Sequence, residues 1–277
     1  MDKHVTVIIG VGGMGIAIAR RVGSGRALLL GDLDTKSLEA AAAQLRAEGH
    51  DVTTRPVDVA DGESVATLAG TATNLGHVSQ IIHTAGVSPA QASAEQILRV
   101  DLLGVAQVVD EFGGVVAPGG AGVVIASMAG HRLATMPVEQ ELALADTPAA
   151  HLLSLPFVEA TLSSARSAYW LSKRGNQLRV QASAARWGER GARINSISPG
   201  MVSTPMGQQE LDGPGGDRMR AAVAESAARR FATPDDIASA CAFLVSAEAG
   251  FITGADLLVD GGVTAIRARE ARMAIAG

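Results

Sequence analysis

The sequence predicts an α/β protein, a doubly wound central parallel sheet of about seven strands with helices on both faces. Three observations carry this. Short apolar runs alternate along the chain with longer stretches whose apolar residues recur at spacings of three and four. A glycine-rich hexamer, Gly10-Val11-Gly12-Gly13-Met14-Gly15, stands between the first apolar run and the first helical stretch. No internal repeat or linker-like segment breaks the alternation.

In chain order, the strands are read at residues 5–9, 27–30, 52–57, 80–83, 122–126, 193–198 and 255–259. The stretches between them carry helical spacing, as in Leu38, Ala41, Ala42 and Leu45. We read one domain, residues 1–277, with two excursions from the alternation. Residues 131–164 hold prolines at 137, 148 and 156, and residues 203–225 hold the breaker Gly213-Pro214-Gly215-Gly216.

Composition bounds the function. With 47% hydrophobic and 18% charged residues the chain has the make-up of a folded protein. The net charge of −5, without runs of like charge, argues against nucleic acid or an anionic membrane as partner and leaves a small molecule. Cys241 is the only cysteine, which excludes an internal disulfide and every multi-cysteine metal site and suits a reducing cytoplasm. The uncharged run 5–19 falls short of the roughly 18 residues of a membrane helix, and Lys3 alone makes no signal-peptide n-region. His83, His131 and His151 are isolated, so no metal is expected, and Ser127 lacks the Gly-x-Ser-x-Gly setting of a hydrolase nucleophile.

The hexamer satisfies the G-x-G-x-x-G pattern that sets a pyrophosphate on a helix N-terminus; its plainer reading is a tight turn in a chain of 32 glycines. Asp32, 22 residues after Gly10, stands where a carboxylate can accept hydrogen bonds from ribose hydroxyls, or else serve as a surface cap. Tyr169 and Lys173 are four apart and share a helical face. Tyr169 is the only tyrosine and Lys173 one of three lysines, so the pairing is improbable by chance. A free phenol titrates near ~10, and a neighbouring ammonium favours the phenolate, which makes the pair a proton-transfer device.

Together with Ser127, His83-Thr84-Ala85-Gly86, Asn195, the run Pro199 to Thr204 and the closing run Gly254 to Gly262, these motifs resemble the short-chain dehydrogenase/reductase family over nearly the whole chain. The resemblance implies a Rossmann fold and assigns Tyr169 as acid/base, Lys173 to the nicotinamide ribose and to lowering the tyrosine pKa, and Ser127 to polarising the substrate oxygen. It places Gly10, Gly12, Gly13, Met14 and Gly15 at the pyrophosphate, Asp58 and Val59 at the adenine, and Thr84, Ala85 and Gly86 behind the cofactor. Pro199, Gly200, Val202 and Thr204 fall at the carboxamide end. The sequence departs from the family pattern at three points. Its glycine turn is one residue shorter, His83 and Thr84 replace the usual asparagines, and Asp101 replaces the helix asparagine of the proton relay, where we expect only its backbone carbonyl to matter. Ser127 and Tyr169 are 42 positions apart, far more than is usual, because the first excursion lies between them.

The expected activity is hydride transfer between a nicotinamide cofactor and an alcohol/carbonyl pair, with a catalytically idle dinucleotide sensor as the alternative. NAD is expected over NADP, since Asp32 repels a 2′-phosphate and residues 10–15 hold no cation. The apolar excursion 131–164 is read as part of a substrate lid, with docking of its leucines on the sheet or a neighbouring subunit as the alternative. Met128, Met136, Met201 and Met206 suit a hydrophobic secondary alcohol or ketone. Leu171, Gly175, Leu178, Ala182 and Ala185 form a small-residue seam for a second subunit's helix, and the resemblance implies a homotetramer or homodimer. Arg267, Arg269 and Arg272 are read as a solvated face.

Overall fold

The computed structural model describes residues 3–133 and 135–276. From the N-terminus, β1 (His4–Ile9), α1 (Gly13–Val22), β2 (Ala27–Asp32), α2 (Thr35–Ala47), β3 (Asp51–Pro56), α3 (Gly62–Leu75) and β4 (His77–His83) alternate without interruption. Then come α4 (Ala94–Ile97), a π-helical turn (Leu98–Leu103), α5 (Gly104–Val115) and β5 (Ala121–Ile125). The first excursion contains α6 (Val138–Asp146), α7 (Ala149–Leu152) and α8 (Pro156–Glu159), and it leads into the long α9 (Ala165–Glu189) and β6 (Arg193–Pro199). The second contains α10 (Pro205–Asp212) and α11 (Gly216–Glu225), followed by α12 (Pro234–Val245), β7 (Asp256–Val259) and α13 (Val263–Ala276).

All seven strands pair in parallel in the order β3-β2-β1-β4-β5-β6-β7. A sheet covered on both faces needs apolar residues at odd and even positions alike. Val5, Val7, Ile9 and Leu29 accordingly pack with residues of α3, α5 and α9, such as Leu68, Phe112 and Trp187. Ile8, Leu28 and Leu30 pack with residues of α1, α2 and α12, such as Ile18, Leu45 and Ile237. Cys241 belongs to this second layer, where burial pushes its thiol up to about 12 and leaves it unreactive. The strands match the expected runs to within three residues. β4 starts earlier, at His77, because a register shift between Val5 and Thr6 lets both His77 and Val78 join the pairing with β1.

A third apolar cluster bears on the first excursion and on the seam of α9. Leu144, Leu152 and Val158 of the first excursion are fully buried against Ile97, Leu102, Leu171 and Leu178. These side chains dock on the protein's own α4, π-turn and α9, in a cluster against which Tyr169 also packs. The seam on α9 is likewise filled from within. A Cβ added to Gly175 would lie 2.6 Å from Leu102 Cδ1 and 3.6 Å from Leu144 Cδ2, so the π-turn packs closely there and α6 of the same chain lies in contact beside it. Only Ala182 and Ala185 of the seam stay exposed.

Candidate active site

The carboxyl ends of parallel strands open into a crevice where the strand order reverses, here between β1 and β4. Each sequence-predicted group except those on helices lies at such an end. The glycine turn follows β1, Asp32 ends β2, Asp58 and Val59 follow β3, Thr84 to Gly86 follow β4, Ser127 follows β5, and Pro199 to Thr204 close and follow β6.

The turn into α1 needs glycine at two positions. Gly10 has φ +95°, and a Cβ there would lie 2.5 Å from Ala85 N; a Cβ at Gly15 would lie 2.0 Å from Gly10 O. Thr84 locks the same turn, its hydroxyl donating to Gly10 O at 2.8 Å. The N-cap residue, Gly12, supplies no side-chain acceptor, the first turn of α1 holds no acid, and a Cβ on Gly12 would meet nothing within 4 Å. Met14 lies on the partly buried side of α1. Asp32 accepts from Val11 N at 2.8 Å and from Asp34 N at 3.0 Å, so it braces the turn as well as facing the crevice. Asp58 turns its carboxylate back onto Ala60 N, and buried Val59 packs under Gly104. At the far side Gly200 leaves no room beside Asp260, Val202 bridges to Ala232, and Thr204 caps α10 by accepting from Gly207 N at 3.1 Å.

Ser127, Tyr169, Lys173 and Asp101 converge. Tyr169 is half-buried, with the Ser127 side chain near enough to lower its phenol, and Lys173 Nζ lies 5.3 Å from the centre of the tyrosine ring. Lys173 Nζ is paired with Asp101 Oδ2 at 3.1 Å, and both side chains are buried. The other Asp101 oxygen accepts from Val87 N at 2.8 Å. This overturns the expectation that only the Asp101 backbone matters. The π-helical turn between α4 and α5 carries the side chain toward Lys173; such turns often occur at functional positions. Gly86 stands against the pair, for a Cβ there would lie 3.2 Å from Asp101 Oδ1 and 3.4 Å from Lys173 Nζ.

The electrostatics also differ from expectation. Burial pushes the Tyr169 phenol above its ordinary value, and the Asp101 and Glu210 charges add to this. Lys173 and the Ser127 side chain pull it down without winning. Burial opposes the charge on Lys173, but Asp101 and Tyr169 more than offset it, so the ammonium is held above its ordinary value. Burial likewise raises Asp101 against the pull of Lys173 and the Val87 N–H. His83 is buried and pushed down to about 3, by burial first and then by the Lys173 charge, so it is a neutral neighbour of the pair.

Sequence reasoning missed the polar frame that holds Ser127. Gln177, one turn beyond Lys173 on α9, donates to Ser127 O at 3.4 Å and to Ser198 Oγ at 2.9 Å. Ser198 and Ser196 donate to Asp256 Oδ1 at 2.9 and 2.6 Å, and His131 Nε2 lies 2.8 Å from Asp256 Oδ2. No spacing rule reveals this network, because its members come from α9, β6, β7 and the turn after Ser127. A cavity of about 190 Å³ beside Gly200, Val223, Asp260 and Val263 does not reach the four converging residues. Among the described residues no cluster of three or more His, Cys, Asp or Glu side chains could hold a metal ion, and no helix is long and apolar enough to cross a membrane.

Comparison with known proteins agrees with this geometry. Residues 3–138 match the family model described as short chain dehydrogenase, and residues 134–264 match one described as enoyl-(acyl carrier protein) reductase. A short-chain dehydrogenase/reductase of Alternaria brassicicola is 39% identical over 98% of this chain and 99% of its own. The D-threitol dehydrogenase of Mycolicibacterium smegmatis is 32% identical over 95% of this chain and 94% of its own. The 3-alpha-hydroxysteroid dehydrogenase/carbonyl reductase of Comamonas testosteroni is 32% identical over 88% and 95%. Among solved structures, a short-chain dehydrogenase/reductase from Serratia marcescens shares the fold with a TM-score of 0.73 at 24% identity, covering 95% of this chain and 98% of that one. The chain belongs to the short-chain dehydrogenase/reductase family and is an oxidoreductase acting on CH–OH groups.

Proposed function

We propose that this protein catalyses reversible NAD-dependent hydride transfer between a hydrophobic secondary alcohol and its ketone, with Tyr169 as the acid/base. The observation that carries the reading is the Lys173 ammonium held between the Tyr169 ring and the buried Asp101 carboxylate. An idle sensor gains nothing from a buried ammonium held beside a phenol.

The crevice suits a dinucleotide. The first-turn N–H groups of α1 have no side-chain acceptor of their own, and the open side of Gly12 admits a phosphate. Asp32 keeps acceptor capacity beyond its two backbone donors, suits ribose hydroxyls and repels a 2′-phosphate. Thr84, Ala85 and Gly86 would line the middle of the group, and Val202 with Thr204 its far end. The bound nicotinamide supplies the hydride acceptor or donor. Ser127 orients the substrate oxygen. Tyr169 takes the hydroxyl proton at Oη during oxidation and returns it during reduction. Lys173, kept charged by Asp101, stabilises the phenolate form.

We further read the protein as a cytoplasmic homo-oligomer, one domain over residues 1–277. The test is turnover of a panel of secondary alcohols and ketones with NAD and NADP, by wild type and by Tyr169→Phe. Wild type should favour NAD, and Tyr169→Phe should bind cofactor while losing at least about 10²-fold in kcat. Equal efficiency with NADP overturns the cofactor assignment, and a phenylalanine variant that keeps a tenth or more of the rate overturns the mechanism.

A further inference from the structure

The turn that carries Ser127 is tied at both ends to one carboxylate. Ser127 Oγ accepts from Ala129 N at 3.1 Å and Ser127 O accepts from Gly130 N at 3.0 Å, so the backbone running into the 3-10 turn Met128–Leu133 sets the direction of the hydroxyl. From that turn His131 reaches Asp256, Nε2 to Oδ2 at 2.8 Å. At its start Gln177 of α9 donates to Ser127 O and to Ser198 Oγ, and Ser198 passes the link on to Asp256 Oδ1. Ser196, opposite Asp256 in the β6–β7 register, gives the same oxygen a second donor. Gly130 lets the turn seat directly on α9, because a Cβ there would lie 2.8 Å from Gln177 Nε2 and 2.9 Å from Lys173 C.

Ser196 and Ser198 alternate with Ile197 and so share the α9 side of β6 with Ile194, which is apolar and buried there. Both serines are fully buried, and Gln177 is buried as well. Apolar side chains in these places would fill the layer with no hydrogen bonds to satisfy, and a buried polar set adds little net stability over them. What such a set adds is orientation, because hydrogen bonds are directional and those of a connected network reinforce one another. We infer that Asp256 is a positioning residue for the reaction: from the first position of β7 it holds the Ser127 turn so that the hydroxyl meets the substrate oxygen. This rests on the hydride-transfer reading, in which Ser127 orients that oxygen, and adds to it a residue that acts only through the serine. Misplacing a reacting group by about 1 Å costs on the order of 10²-fold, so a slackened turn should show in kcat.

The test measures cyclohexanol oxidation with NAD and cyclohexanone reduction with NADH, or the fastest pair of the panel above if these are not turned over, in Asp256→Ala, Asp256→Asn and Ser127→Ala. Asp256→Ala should lower kcat about tenfold or more, while KM and the Kd for NADH stay within about twofold. Asp256→Asn should restore most of the loss, because its oxygen still accepts from the serines and its amide donates to His131 in the other tautomer. In the Ser127→Ala background Asp256→Ala should cost less than about twofold, since the group it positions is gone. An equal loss in both backgrounds, a kcat unchanged by Asp256→Ala, or an asparagine variant as slow as the alanine one overturns the inference. If circular dichroism shows that Asp256→Ala does not fold, His131→Ala, which removes only the partly exposed arm, takes its place in the same cycle with the same outcomes. If Ser127→Ala keeps the wild-type rate, or wild type turns over nothing in the panel, it is the hydride-transfer reading that fails, and this inference fails with it.

Discussion

Asp101 divides two tasks between its oxygens, one holding the backbone at Val87 and the other the Lys173 ammonium. In Asp101→Asn the amide can still accept from Val87, but it leaves the buried ammonium without its counterion. The expected cost is about 3 kcal/mol of folding stability, together with a displaced pH–rate profile as Lys173 titrates lower. Chemical denaturation and the pH dependence of kcat check this; a variant unchanged in both would return the role to the backbone. His83 gives a second prediction with a definite sign. Its folded pKa of about 3 lies below the ordinary 6.5, so between those values the unfolded chain binds a proton that the folded chain refuses. The neutral-His83 contribution is complete above pH 6.5 and is lost as pH falls toward 3, by as much as about 5 kcal/mol. His83→Asn should flatten the acid limb of stability against pH, as followed by urea midpoints, and parallel curves for the two proteins would refute it. At this scale the sequence made Ser127, Tyr169 and Lys173 legible, because rarity and an i, i+4 spacing mark them. The Asp101 side chain was not legible, since a π-turn changes which residue faces inward.

Among the elements, α9 is the one on which the site depends, and α6 is what holds it. Leu144 is fully buried on α6 against the Gly175 region of α9, one half-turn beyond Lys173. The ion pair of Arg174 with Glu141 reinforces the contact, Arg179 donates to Thr147 O at the end of α6, and the pair of Arg179 with Asp110 ties α9 to α5. Leu144→Ala would open a cavity between the helices and should lower stability by about 2–5 kcal/mol. If α6 were a mobile cover, the same substitution would change KM and leave the denaturation midpoint where it was. The spacing of apolar residues made strands and most helices legible, as the buried set Leu38, Ala41, Ala42 and Leu45 of α2 shows. It could not say which surface an apolar segment covers. The leucines of residues 131–164 read equally well as a lid or as packing, and it takes the structure to show Leu144 and Leu152 fully buried against α4, the π-turn and α9.

For the molecule as a whole, the two edges of the sheet are unlike. β3, at one end, presents Asp51, Thr53, Thr54 and Arg55, polar residues of the kind that discourage pairing with another chain. β7, at the other, reads Asp-Leu-Leu-Val and pairs only with β6. Around it Leu257 is 37% exposed, Phe243 at the end of α12 is 41% exposed, and Phe251 in the connection stands fully in solvent. Large apolar side chains left outside at an unguarded edge mark a surface that another molecule covers. With α6 occupying the upper seam of α9, this edge is the better-placed contact for a second copy of the chain. Phe251→Glu should therefore lower the mass measured by light scattering at micromolar protein, whereas Ala182→Glu, on the exposed remainder of the seam, should leave it unchanged. A Phe251 variant with the wild-type mass, or an Ala182 variant that dissociates, would return the interface to α9. Neither position touches Tyr169 or Lys173, so a loss of activity accompanying dissociation would mean that assembly supports the site from a distance, through β7 and the Asp256 network behind Ser127.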